Sequence, residues 1–134
     1  MKLLLLLTIF IVLFYNAGFS QSANELYNRG NYFMQKGQMD SAMSSFNMAI
    51  ESDSTFYKAY HGRGTVYLAV NKFNEALKDY STCIRQKFNY SEAFYGRGIA
   101  YLGLGKSDKA CLDFQEAMNF GLKEAKEAME LYCR

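Results

Sequence analysis

From Leu26 onward, apolar side chains recur three and four positions apart, and the pattern restarts at a fixed interval. Between residues 57 and 90 the first stripe is Tyr60, Arg63, Gly64, Tyr67 and Leu68, which is one face of a helix. Asn71 interrupts it, and Gly37 and Gly105 stand at the same place in the flanking stretches. These residue types accept a positive φ and so end a helix. A second stripe follows: Ala76, Leu77, Tyr80, Cys83 and Ile84. Each stretch therefore predicts two helices joined by a tight turn.

The interval is 34 residues with no insertion or deletion. Gly30, Gly64 and Gly98 keep it, as do Arg29, Arg63 and Arg97, and Ala42, Ala76 and Ala110. Leu26, Tyr60 and Phe94 hold one register, Phe33, Tyr67 and Tyr101 another, and Phe46, Tyr80 and Phe114 a third. Ala49, Cys83 and Ala117 mark a small position. The units span 23–56, 57–90 and 91–124. One hairpin cannot bury its own apolar face, whereas three stacked hairpins share a continuous core. Gly64 and Ala76 are expected where the two helices approach, with Tyr67 and Tyr80 filling the space beside them. After the third unit, Gly121 ends the sixth helix. A last stripe of Leu122, Ala125, Met129 and Tyr132 has Lys123, Glu124, Lys126 and Glu127 away from it. This predicts a seventh, capping helix over about 122–133, with a polar outer side.

The period and its Gly, Tyr, Ala and Phe positions resemble the tetratricopeptide repeat family. The resemblance covers nearly all of the chain beyond residue 22. It implies an all-α fold, a right-handed superhelical stack of antiparallel helix hairpins with about seven helices. Two positions depart from the family. Arg replaces the family's Leu before the glycine in all three units, and Ser54, Phe88 and Leu122 replace the closing Pro. Asp79 and Asp113 stand sixteen residues after Arg63 and Arg97, with Ser45 in the first unit. They are read as ion pairs joining the helices of one hairpin, or adjacent hairpins. An anion-binding Arg row is the alternative.

The family typically holds peptides or partner domains on its concave face, lined by the first helix of each hairpin. On this chain the corresponding free positions are Tyr27, Asn31, Met34 and Gln35, then Lys58, His61, Thr65 and Leu68, then Glu92, Tyr95, Ile99 and Leu102. Members that grip the acidic tails of heat-shock chaperones use a clamp of Lys, Asn and Arg. Its positions fall on Tyr27, Asn31, Gly62, Glu92 and Gly96, where only Asn31 fits and Glu92 has the wrong sign. No chaperone-tail binding is expected.

The first twenty residues follow different rules. Lys2, an apolar run from Leu3 to Phe14, and small residues at Gly18 and Ser20 have the layout of a secretory signal peptide. Cleavage after Ser20 would leave a repeat domain over 21–134. The run is about twelve residues, short of the ~20 that span a bilayer. The expectation is thus an exported chain, periplasmic or secreted, with no stable membrane span after cleavage. The alternative is anchorage by an uncleaved N-terminal segment.

An oxidising compartment permits disulfides. Cys111 lies eleven residues before the turn near Leu122 and Cys133 eleven after it, so they face each other across an antiparallel pair and are expected to join. Cys83 replaces a core Ala and reads as a small buried hydrophobe. No metal site is indicated: there is no CxxC pair, and the one histidine, His61, is remote from the cysteines.

Composition narrows the function classes. A net charge of +2 without a basic run gives no footprint for nucleic acid. His61 has no Ser or Cys neighbour in a catalytic arrangement, and no Gly-rich phosphate loop is present, so neither an enzyme nor a cofactor or small-molecule substrate is expected. The remaining reading is a protein–protein interaction module for another protein or peptide, such as an accessory subunit of an envelope or secretion assembly. The alternative is a structural, self-associating protein, monomer or weak homodimer, that uses the array's ends. There Tyr32, Met39 and Met43 are expected to leave an apolar patch.

Overall fold

The computed structural model describes residues 21–133. The signal segment expected over residues 1–20 lies outside the described residues. Seven helices follow in order: α1 (Ala23–Gln35), α2 (Met39–Ser52), α3 (Tyr57–Ala69), α4 (Phe73–Gln86), α5 (Ser91–Gly103), α6 (Ser107–Asn119) and α7 (Glu124–Tyr132). Among the described residues there is no strand, and no helix is long and apolar enough to cross a membrane.

Consecutive helices pack as antiparallel hairpins, α1 with α2, α3 with α4 and α5 with α6. Each hairpin also packs on the next through α2–α3 and α4–α5, and α7 packs on α6. Within each hairpin one turn recurs. At the first, the Gly37 and Gln38 amides donate to Met34 and Phe33 carbonyls at 2.9 Å each, with φ of 71° at Gly37. This closing pair satisfies carbonyls that the helix end would otherwise leave bare. Asn71 adopts the same left-handed conformation, φ 59°, as the only non-glycine among the described residues to do so. Turns between hairpins differ: Asp53 and Lys87 cap at φ of −150° and −140°, with no glycine. The α6–α7 connection reverts to the first type, with φ 95° at Gly121. The capping helix is therefore entered by an intra-hairpin turn.

A side-chain cap occurs only at α1 among the described helices. Ser22 Oγ accepts from the Glu25 amide at 3.2 Å, and Glu25 accepts from the Ser22 amide at 3.3 Å. Such a box contributes about 1 kcal/mol.

Phe46, Tyr80 and Phe114, one per hairpin, are fully buried. Each such side chain stabilises by roughly 2–3 kcal/mol. The rings explain the glycines. A Cβ on Gly30 or on Gly62 would stand 2.5 Å from the Phe46 ring, so one ring fills a slot between α1 and α3. Tyr80 does the same between Gly64 and Gly96, and Phe114 lies on Gly98. The glycines thus admit an aromatic ring rather than a neighbouring helix backbone. Ala128 of α7 joins Ala110 and Phe114, closing the last slot.

Arg63 and Arg97 connect three helices each. Arg63 Nε and Nη2 donate to the two carboxylate oxygens of Asp79 at 2.7 and 2.8 Å, and Nη1 reaches Asn47 Oδ1 on the preceding hairpin at 2.8 Å. Arg97 pairs with Asp113 at 2.8 Å twice and reaches Ser81 Oγ at 3.2 Å. Of the two alternatives for the Arg–Asp pairing, the ion pair lies within the hairpin, and the contact that crosses to the neighbouring hairpin is a hydrogen bond to a neutral side chain, Asn47 or Ser81. With both Asp residues 5% exposed and their oxygens engaged, the guanidinium groups form struts rather than a free anion row. In the first unit Arg29 has no carboxylate partner: its Nε donates to Ser45 Oγ, its Nη1 to Gln21 Oε1 and its Nη2 to Met48 Sδ, each at 3.2 Å.

Two expectations at the ends change. Tyr132, placed on the inward stripe of α7, is 52% exposed, and Ala128 takes the buried position instead. The disulfide turns Cys133 inward, which rotates its neighbour outward by about a quarter turn of helix. At the other end Met39 and Met43 are partly buried against Ala42, Phe46 and Val66, so the patch expected there reduces to Tyr32.

Candidate functional site

The first helices of the hairpins lie side by side, α1 against α3 and α3 against α5. Where α3, α5 and the entry to α7 converge there is a cleft of about 380 Å³. Its wall takes His61, Thr65 and Leu68 from α3, and Glu92, Tyr95, Gly96 and Ile99 from α5. Tyr80 rises through the floor from α4, and Leu122 and Glu124 close the far side. The lining is almost wholly apolar, with the polar groups at the margin, as in sites that seat a side chain.

Local geometry fixes the polar members. Thr65 Oγ1 donates to the His61 carbonyl at 3.0 Å, one turn back, and meets the Tyr80 hydroxyl at 3.1 Å. The His61 ring lies 5.8 Å from the Tyr80 ring and 5.2 Å, edge-on, from Tyr90. Burial between these rings lowers the His61 pKa, and nearby Glu92 opposes the shift without cancelling it. Desolvation likewise pushes the Tyr80 phenol up to about 12, and the buried, free Cys83 thiol up to about 12. Both stay protonated at neutral pH, so the cleft offers a neutral ring, a phenol and a hydroxyl, with no activated nucleophile. Among the described residues no group of His, Cys, Asp and Glu could hold a metal ion.

Six of the positions expected on the concave face converge here: His61, Thr65, Leu68, Glu92, Tyr95 and Ile99. Tyr27, Asn31, Met34, Lys58 and Leu102 are not part of this cleft. Tyr27 is engaged by Phe46 and Phe56, with ring centroids 5.9 and 5.7 Å away. Met34 packs on the Phe46 cluster and Leu102 on the Phe114 cluster. Tyr80, Leu122 and Glu124 complete the wall but were assigned by pattern to the core or the cap. The missed signal is that α7 follows an intra-hairpin turn, which brings its first residues to the concave side.

Cys111 and Cys133 are joined by a disulfide, with Cα atoms 5.7 Å apart, which ties α6 to the end of α7. A hollow of about 570 Å³ lies beside it, lined by Ser107, Asp108, Leu112, Gln115 and Tyr132 among others. It is larger than the concave cleft. Its wall mixes Leu112, Met129 and Tyr132 with Ser107, Asp108 and Gln115, so the more uniformly apolar concave cleft is the better site.

The tetratricopeptide repeat family pattern matches residues 26–56, 57–90 and 92–120. Among solved structures, the chain is similar to the second TPR of Spaghetti (RPAP3) bound to the HSP90 peptide SRMEEVD. Identity is 32%, over 75% of this chain and 94% of that one, with a TM-score of 0.73. The second TPR domain of human RPAP3, in complex with the HSP70 peptide SGPTIEEVD, is 30% identical over 84% of this chain and 95% of that one, TM-score 0.78. The Arabidopsis OM64 TPR domain, 23% identical over 84% and 95% with a TM-score of 0.80, shares the fold. A comparison with curated protein sequences gave no match.

Proposed function

This chain belongs to the tetratricopeptide repeat family, and on that premise we propose that it is a non-enzymatic interaction module that holds a segment of another protein in the cleft between α3, α5 and α7. The observation that carries this reading is the cleft itself, an apolar floor of Leu68, Ile99 and Leu122 beside Tyr95; two similar TPR domains are known with bound peptides. Buried apolar anchors of this kind dominate peptide affinity. The chaperone tails held by those neighbours are not the proposed ligand, because Tyr27, Gly62, Glu92 and Gly96 stand where the clamp needs cations and amides.

We further infer export, on the signal-like layout of residues 1–20 together with a cystine that an oxidising compartment would maintain. An accessory role in an envelope or secretion assembly accords with both features.

The test is site-specific photo-cross-linking in cells. A cross-linker at position 99 should capture a partner polypeptide, while one at Gln115, outside the cleft, should not. Capture from position 115 alone would place the interface on the outer side and end this reading.

A further inference from the structure

The charged side chains that line the cleft are both acidic. Glu92 on α5 and Glu124 at the start of α7 both line it, and both are exposed. Neither carries an ion pair among the described residues, and Glu92 accepts only a hydrogen bond from its neighbour Ser91, at 3.0 Å. No Lys or Arg contributes to the wall. Lys58 on α3 and Lys123 before α7 lie outside it and are likewise without an ion pair. His61 does not offset the carboxylates, since it sits against the Tyr80 and Tyr90 rings and burial favours its neutral form. The Arg63–Asp79 and Arg97–Asp113 ion pairs engage other carboxylates.

We propose that the cleft selects a cationic segment of a partner protein: an apolar side chain seated over Leu68, Ile99 and Leu122, flanked by Lys or Arg facing Glu92 and Glu124. This rests on the groove-binding reading above and gives the ligand its sign. The volume, about 380 Å³, lies near the lower end of ligand pockets, about 300–1,000 Å³. It suits one or two anchoring side chains, with the flanking residues left at the margin where the carboxylates stand. Marginal, solvated charges contribute to selectivity and association rate more than to depth of binding, and they are screened by salt. An acidic segment would meet two like charges and no counter-charge in the wall. The cleft therefore has the opposite preference to a carboxylate clamp.

The experiment uses the full chain produced through an export pathway. It is offered an array of dodecapeptides in which Leu, Ile, Met, Phe or Tyr is flanked by Lys, by Ser or by Glu, and hits are measured by fluorescence anisotropy. Lys-flanked peptides are expected to bind about tenfold or more tighter than their Glu-flanked counterparts, with the advantage shrinking in high salt. Glu92→Lys/Glu124→Lys should invert the order, while the control Glu116→Lys/Glu127→Lys, on exposed positions outside the cleft, should preserve it. Equal affinities, or a preference for Glu flanks, overturns the inference. If Ile99→Arg still abolishes that binding, the groove reading stands without it. Failure of every peptide, with helicity intact by circular dichroism, also overturns the inference, and cross-linking from position 99 then decides the groove reading independently.

Discussion

The Tyr80 ring occupies the space that any side chain at Gly96 would need: a Cβ built there would stand 2.6 Å from Tyr80 Cε1. The tyrosine belongs to one hairpin and the glycine to the next, so a single contact joins the repeat interface to the floor of the cleft. Gly96→Ala should therefore destabilise by roughly 1–3 kcal/mol, the usual cost of overpacking a filled interior. Tyr80→Leu should relieve much of that cost, which a double-mutant cycle in urea would register. Additive effects would show that the ring and the glycine are not in steric contact.

The same contact bears on ligand choice. Position 96 is one of those on which the chaperone-tail clamp falls, and Tyr80 leaves no room there for a long side chain. Glu92 adds a like charge. The peptide SRMEEVD should show no binding at about 100 μM by calorimetry, which corresponds to less than ~5.5 kcal/mol of affinity. A micromolar dissociation constant would contradict the mapping of the clamp onto Tyr27, Asn31, Gly62, Glu92 and Gly96.

The Arg struts should rank in a definite order. Arg97→Ala strands the Asp113 carboxylate, 5% exposed, and should cost ~3 kcal/mol. Arg97→Leu/Asp113→Leu should cost less than Arg97→Ala, because no unpaired charge remains. Arg29→Ala should cost less than Arg97→Ala, since it removes only hydrogen bonds to neutral partners, Ser45, Gln21 and Met48, and strands no carboxylate. Chemical denaturation of the four proteins measures this, and an Arg29 effect as large as that of Arg97 would refute it.

The fold was legible because the three units keep one period, so each helix and turn was stated three times in the chain. The Arg–Asp pairs were legible for the same reason, as an offset that recurs, and the Cys111–Cys133 bridge was legible from equal distances on either side of one turn. The site was less so. Periodicity marks which face of a helix points inward but not how far a side chain reaches, so Tyr80 was read as core although it also floors the cleft. Tyr27 and Met34 hold positions equivalent to His61 and Leu68 and make the equivalent packing contacts, yet they lie outside the cleft, whose far side is closed by Leu122 and Glu124 beside the third unit. The tail lies outside the period, and there pattern failed locally: Ala128, not Tyr132, completes the buried stripe.

Reduction of the disulfide should loosen α7 more than the rest. In the chain-entropy model, a closed loop of the Cys111–Cys133 span contributes ~3 kcal/mol. Cys111→Ser/Cys133→Ser should speed amide exchange across α7 with little change in α2 and α3. Cys83, fully buried and with its thiol pKa raised to about 12, should resist alkylation until the chain unfolds. Uniform acceleration of exchange across all seven helices would show that the cystine supports the whole array rather than its cap.

His61 gives stability a pH dependence whose sign follows from its surroundings. Burial between Tyr80 and Tyr90 lowers its folded-state pKa below the ordinary 6.5. As pH falls through about 6.5, the unfolded chain takes up a proton that the folded chain resists, so stability declines with decreasing pH. The stabilisation is fully present above the unfolded value and is lost progressively as pH falls through the folded one. Urea unfolding between about pH 7.5 and pH 5, above the range in which ordinary carboxylates titrate, isolates this contribution. His61→Gln should flatten the profile, since an amide occupies the same place without titrating. The carboxylate of Glu92 acts in the opposite direction, favouring the protonated ring. Glu92→Gln should therefore steepen the loss on the acid side. A wild-type profile that rises as pH falls would mean that Glu92 outweighs burial, and the cleft would then carry a charged imidazolium at its margin in place of a neutral ring.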